Sequence, residues 1–470
     1  MIEKSIKRNK RYRIQRTLAS LMLFNILCFS AAPAVSLAAP TTLATAETTD
    51  NAKTGDAAAE TKNAKVDRVP SAQQLGLEVE SAVLIEPSTG QVLLSINADE
   101  ALPPASMTKM MTEYIVAEQV KQGKLSWDEV VTVGENAAKT EGSRIFLAEG
   151  DQHTVKELYI AMAVGSANDA TVALAERVAG SEEAFVKMMN DTAKKMGLKT
   201  AFFINSTGLS RADMPEKFRP KEDKETVMSA MDVAILAKYI VEDHPDFAEF
   251  TALQNYKFRK RDDKPIINYN WMLEANKNIT NFKSYAYEGL DGLKTGHTSA
   301  AGYCFAGTAE RNGMRLISVV MGTKSEPARF VETRKVLDYG FNNFEVKEVQ
   351  PAGATVEGFD KVQVKKGKGK EAKLVTDRAL TFVVPKGSNG NNIQFEAKLD
   401  SSSVNAPVAK NTKVGTVTYN YKIEGMASTQ SDTLNLVTAE ETEKAGWFKL
   451  FLRAIGEFFA DLFDSIKNLF

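Results

Sequence analysis

Two cysteines and three histidines are the only thiols and imidazoles in this 470-residue chain. Cys28 lies in an apolar stretch that reads as a cleavable leader, so its removal leaves Cys304 alone and no internal disulfide can form. The fold must then be held by its core, which a chain of this length can supply. His153, His244 and His297 are too widely spread to read as a catalytic triad or a zinc site, and neither a metal nor a cofactor is expected. An excess of either charge is also missing. The 59 Lys and Arg face 60 Asp and Glu, for a net charge of -1, which leaves no electrostatic footprint for nucleic acid. The apolar stretch from Leu18 to Ala32 falls short of the roughly 20 residues that a membrane-spanning helix needs. What remains is the composition of an ordinary globular protein, 43% hydrophobic and 25% charged.

The ends carry addresses. Lys4, Lys7, Arg8, Lys10, Arg11, Arg13 and Arg16 precede the apolar stretch, and Ser36-Leu37-Ala38 closes it with a small-x-small cleavage pattern. Residues 1–38 therefore read as a secretory signal peptide. Leu27 stands before Cys28 where a lipidation signal has a small residue. Residues 39–74 are rich in Ala, Thr, Lys, Asp and Glu, and this stretch has no aromatic residue. They are expected to form a flexible spacer. At the other end, residues 446–470 place Trp447, Phe448, Phe451, Ile455, Phe458, Phe459, Leu462, Phe463, Ile466 and Phe470 on one broad helical face. Lys449, Arg453, Glu457, Asp461, Asp464 and Asn468 share the other. Those charges exclude a hydrocarbon span, and the pattern suits a helix lying in the membrane interface. The expected location is the outer face of the cytoplasmic membrane, reached by export and held by this tail.

Between the ends, residues 75–346 read as an α/β unit. Ala82 to Ile85 and Val92 to Leu94 flank a turn at Pro87-Ser88-Thr89-Gly90, a strand hairpin. Helical periodicity runs from Met107 to Val116, Val155 to Met162, Ala170 to Val178 and Met231 to Ile240, the last capped by Ser229. Tyr303 to Ala309 and Met314 to Met321 read as strands joined at Arg311-Asn312-Gly313, and Arg334 to Tyr339 as a closing helix. Strands at both ends with helices between them predict a mostly antiparallel sheet. Residues 347–438 read as a small all-β domain, with strict alternation from Ile393 to Leu399. Its run of Lys365, Lys366, Lys368, Lys370 and Lys373 reads as a solvated edge rather than a polyanion site.

Three short strings carry chemistry: Ser106-Met107-Thr108-Lys109, Ser166-Ala167-Asn168 and Lys294-Thr295-Gly296. Each is common by chance. Ser106 stands at a helix start, where the dipole favours an incipient alkoxide. Lys109 is one turn on and takes a serine proton only when neutral, a form that burial and a second cation favour. The Ser166 hydroxyl can relay a proton to a leaving group, and the Asn168 carboxamide can bind a substrate amide while hydrogen-bonding the base. Lys294 on an edge strand would face a cleft, and Gly296 would admit substrate backbone. The N–H groups of Ser106 and His297 would form an oxyanion hole.

In order, spacing and context these strings resemble the low-molecular-mass penicillin-binding proteins, D-alanyl-D-alanine carboxypeptidases of the type-5 kind. Pro104-Ala105 before Ser106, Asp169-Ala170 after Asn168, Asn205-Ser206-Thr207-Gly208-Leu209, and His297-Thr298 after Gly296 extend the likeness. The resemblance implies a penicillin-binding/β-lactamase-like transpeptidase fold of α/β (α+β) type. It makes Ser106 the acylated nucleophile and Lys109 its base, with Ser166 and Asn168 as the second element. Lys294, Thr295, Thr298 and Arg329 would hold a terminal carboxylate. The implied substrate is a peptidoglycan stem pentapeptide that loses its terminal D-Ala, and β-lactams would acylate the same serine. Ala167 stands where the family often has Gly, and the charged stretch from Arg211 to Glu225 looks like a local elaboration. A serine β-lactamase would need a deacylating Glu on a loop, and no Glu-x-x-Leu-Asn lies between the second and third motifs.

Overall fold

The computed structural model describes residues 68–467 apart from 389, 391 and 427. The expected signal peptide and most of the expected spacer lie outside the described residues. Strand β1 (Ser81–Glu86) is buried throughout, as its unbroken apolar run requires, and pairs with β2 (Gln91–Ile96). Helices α1 (Lys109–Lys121), α2 (Val155–Gly165), α3 (Asn168–Ala179), α4 (Glu182–Met196) and α5 (Ala230–Asp243) follow. Then come β3 (Leu290–Thr298), β4 (Gly302–Arg311), β5 (Met314–Thr323) and α6 (Glu326–Asn343). The five strands form one antiparallel sheet in the order β2-β1-β5-β4-β3, which leaves β3 at an edge.

Local chemistry explains the joints. Asn312 (φ 50°) and Gly313 (φ 76°) turn β4 into β5, the two positive dihedrals that a tight hairpin of this twist requires. The Ser229 side chain accepts from the Asp232 N–H and starts α5, and Thr154 and Glu157 cap α2 reciprocally. Helix α4 lies outside the helices expected from periodicity. Its buried Phe185, Met189, Ala193 and Met196 recur every three or four residues behind the Ser181 cap.

Both faces of the sheet are covered. Val83 and Ile85 pack with Val233, Leu236 and Met110 in one apolar cluster. Ala82 and Leu84, pointing the other way, pack with Phe330, Val336 and Leu337 of α6 in another. The second cluster continues without a break into the C-terminal β domain, through Phe344 to Val383, Val417 and Leu436.

That domain contains β6 (Phe344–Gln350), β7 (Lys361–Lys365), β8 (Glu371–Thr376), β9 (Leu380–Pro385), β10 (Ile393–Leu399), β11 (Ser403–Asn405), β12 (Lys413–Tyr421) and β13 (Gln430–Thr438). Strand β6 pairs with β9, and the others form a six-stranded sheet in the order β10-β12-β13-β8-β7-β11. The expected domain boundary at 346/347 falls inside β6. The ordered chain also starts before Leu75. Val69 is buried and its N–H donates to Glu424 O (3.1 Å), and Ala72–Leu75 forms a 3-10 turn. One apolar side chain anchors a segment whose overall composition suggests a spacer. Helix α7 (Trp447–Lys467) ends the described chain. Among the described residues no helix is long and apolar enough to cross a membrane.

Candidate active site

A 3-10 turn at Ala105–Thr108 carries Ser106, and α1 begins only at Lys109. The Lys109 ammonium nitrogen donates to Ser106 Oγ (3.0 Å) and to the Thr207 carbonyl (2.8 Å), and its side chain is fully buried. Burial first, then the charge of Lys294, hold Lys109 well below the usual lysine range, against the opposing pull of Glu113 and Asp169. A depressed pKa is what a lysine base needs.

The loop at Asn205–Leu209 explains its place among the matching strings. Asn205 Oδ1 accepts from the N–H groups of Thr207 (3.1 Å) and Gly208 (2.7 Å), and Asn205 Nδ2 donates to Leu209 O (2.8 Å). The braced loop aims Thr207 O at Lys109. Gly208 has φ 83°, and a Cβ there would lie 1.9 Å from Ala105 O. Only glycine lets this loop close on the serine turn. Ser206 is tied to Glu182 (2.6 Å), and Thr112 on α1 donates to Ser206 O (2.8 Å).

Ser166 ends α2 in a left-handed conformation (φ 53°), and Asn168 begins α3. The Ser166 hydroxyl is buried and has no hydrogen-bond partner among the described residues, so it can serve an incoming group. Asn168 departs from expectation. Its Nδ2 donates to Glu141 O (2.6 Å), and no hydrogen bond joins it to either lysine among the described residues. The reason is the loop around Ser143. It is drawn in by Asn168 N–H to Ser143 O (2.7 Å) and by the Asp169 carboxylate, which accepts from the Ile145 and Leu147 N–H groups.

Strand β3 brings the third string against the serine turn. Gly296 serves that approach, since a Cβ there would lie 2.6 Å from Pro104 O. Lys294 and Thr295 are buried. Burial lowers Lys294 to about 8, with Glu113 pulling up and Arg329 pushing down. His297 is exposed, with Nδ1 3.0 Å from Gly302 O and its ring stacked 3.9 Å from Tyr303. Thr298 Oγ1 accepts from the Ala301 N–H (3.1 Å), which leaves the hydroxyl proton for another acceptor.

Arg329 stands on the first turn of α6 with only 3% of its surface exposed. It donates to Gly296 O (3.3 Å) and to Glu326 (2.7 Å), so its charge reaches the site from behind β3.

Glu113 is the residue that the motifs do not reveal. It is buried at 2% exposure, its Oε1 has no hydrogen-bond partner among the described residues, and burial raises it to about 7 against the pull of Lys294 and Lys109. Its position four residues after Lys109, on the same helix face, is the available sequence signal. The arrangement provides a hydroxyl beside a lysine whose pKa burial lowers, a second buried hydroxyl, and a cationic wall.

Fold and site together define a penicillin-recognising serine acyl-transfer enzyme. The family model described as D-alanyl-D-alanine carboxypeptidase matches residues 68–325, and that of the penicillin-binding protein 5 C-terminal domain matches residues 344–444. The D-alanyl-D-alanine carboxypeptidase DacF of Bacillus subtilis is 36% identical over 384 residues, covering 82% of this chain and 91% of the relative. DacC of Escherichia coli is 34% identical over 372 residues, covering 78% and 84%. Among solved structures, penicillin binding protein 5 of Haemophilus influenzae has a TM-score of 0.63 at 32% identity, covering 78% of this chain and 98% of that one. The peptidoglycan synthesis regulatory factor PBP3 of Streptococcus pneumoniae has a TM-score of 0.65 at 29% identity, covering 78% and 100%. The chain belongs to the D-alanyl-D-alanine carboxypeptidase family and is a serine-type carboxypeptidase of the low-molecular-mass, type-5 class.

Proposed function

We propose that Ser106 removes the terminal D-Ala from peptidoglycan stem pentapeptides through an acyl-enzyme. The observation that carries this reading is the 3.0 Å contact between Lys109 Nζ and Ser106 Oγ, made by a fully buried lysine. Neutral Lys109 takes the hydroxyl proton as Ser106 Oγ attacks the carbonyl carbon of the penultimate D-Ala. The oxyanion sits between the Ser106 and His297 N–H groups. The tetrahedral adduct collapses, the C–N bond breaks, and the departing amine takes a proton relayed from Lys109 through Ser166. Asn168 and the edge of β3 hold the peptide. Lys294, Thr295, Thr298 and Arg329 hold its free carboxylate. Water then attacks the ester, returning Ser106 and releasing the shortened peptide. A β-lactam acylates the same oxygen, but its leaving nitrogen stays tethered by the opened ring and obstructs that water.

Residues 1–38 direct export, and α7 holds the enzyme at the outer face of the cytoplasmic membrane. Trp447, Phe448, Phe451, Phe458, Phe459 and Phe463 are all more than half exposed, an apolar face left uncovered by the described residues. Release of D-Ala from a D-Ala-D-Ala-terminated peptide is the direct assay. Wild-type release with none from Ser106→Ala supports the mechanism; undiminished release by the variant overturns it. Deleting residues 447–470 should leave turnover of a soluble peptide intact and abolish vesicle binding.

A further inference from the structure

The basic run at residues 365–370 is not a plain solvated edge. Its backbone is pinned from three sides: Ala406 N–H donates to Lys365 O (2.8 Å), Ala445 N–H to Lys366 O (2.9 Å), and Lys368 N–H to Glu443 O (2.8 Å). Helix α7 then lies against it. Lys449 Nζ donates to Lys368 O (2.9 Å) and Arg453 Nη1 to Gly367 O (3.2 Å). Between loop and helix is a cavity of about 760 Å³ lined by Lys365, Lys366, Lys370, Arg453, Ser402 and Ser403, with no carboxylate in its wall among the described residues. Lys368 is paired with Glu443, whereas Lys365, Lys366, Lys370 and Arg453 form no ion pair among the described residues. Four cations and two hydroxyls thus face one cavity.

Helix geometry sets the depth of this cavity relative to a membrane. Leu450, Arg453 and Ala454 line it, while Trp447, Phe448, Phe451, Phe458 and Phe459 are exposed on the same helix. At 100° per residue Arg453 lies nearly opposite the centre of the aromatic set, and Leu450 and Ala454 fall at its border. An interfacial helix buries its apolar face at the headgroup–acyl boundary. The face that touches the lysine loop then lies at the height of the lipid phosphates.

We propose that the lysine loop and α7 form one composite docking surface whose cavity takes the phosphate headgroup of anionic phospholipids. The inference rests on the membrane-anchor reading of α7 and adds lipid selectivity to it. Aromatic insertion alone is indifferent to headgroup charge. Juxtamembrane lysines each add a severalfold preference for anionic lipid, which salt screens. The aromatic face beside the cavity commits the surface to a bilayer rather than to a soluble polyanion.

The test is co-sedimentation of the chain with vesicles of phosphatidylcholine alone and of phosphatidylcholine containing phosphatidylglycerol. The wild type should bind the anionic vesicles more than about tenfold better at low salt, and the gap should close at high salt. The triple variant K365Q/K366Q/K370Q should lose that gap while keeping its phosphatidylcholine binding and its turnover of soluble peptide. A wild type without preference, or a triple variant that keeps it, overturns the lipid site and leaves the anchor standing. No binding to either vesicle overturns the anchor as well.

Discussion

Lys109 and Glu113 lie one turn apart on α1, both buried, and Lys294 is the further charge that both of them feel. In the proposed mechanism Lys109 must lose its proton to act as base, and Lys294 must keep its own to hold a carboxylate. Glu113 raises both, so Glu113→Gln lowers both. Each limb of the pH profile of kcat/KM should therefore move toward acid. A variant that was merely misfolded would reduce the height of the profile without moving its limbs.

In the proposed mechanism Arg329 helps to hold the substrate's free carboxylate. The variant Arg329→Ala should lower kcat/KM on a free-acid D-Ala-D-Ala peptide by roughly thirtyfold, the loss of about 2 kcal/mol from a charge-assisted contact. The C-terminal amide of the same peptide should barely respond. Equal losses on both peptides would make Arg329 a brace for Gly296 O and Glu326 alone.

Gly208 tests the closeness of the serine turn. A Cβ at 1.9 Å from Ala105 O, on backbone at φ 83°, has no room to relax. Gly208→Ala should destabilise the protein by about 3 kcal/mol in urea titration. It should also slow acylation by a fluorescent penicillin, since Thr207 O would no longer reach Lys109. Full acylation rate in the variant would contradict that coupling.

Much of this was legible from short-range signals. Asn312-Gly313 gave the hairpin, Ser229 the start of α5, and runs of apolar residues placed β1, β4 and β5. The three motifs pointed to segments that the fold brings together, because their residue types are local to each string. The parts that were not legible depend on approach between distant segments. Nothing near Gly296 says that Pro104 O will stand where its Cβ would be, and nothing near Gly208 points to Ala105. The contact of Asn168 Nδ2 with Glu141 O was illegible for a related reason, since it comes from a loop without regular patterning. Glu113 carries no local signal beyond its spacing from Lys109, because its environment depends on burial by distant segments.

The apolar cluster behind β3 and β4 has a mechanical consequence. Phe330 and Leu337 of α6 belong to the same cluster as Phe344, Val417 and Leu436, so denaturant meets one cooperative body rather than two independent ones. A lesion at Val417 would loosen α6, and with it Arg329 and the strand that carries Lys294. Damage far from the serine would thus be felt as weakened grip on the substrate's end.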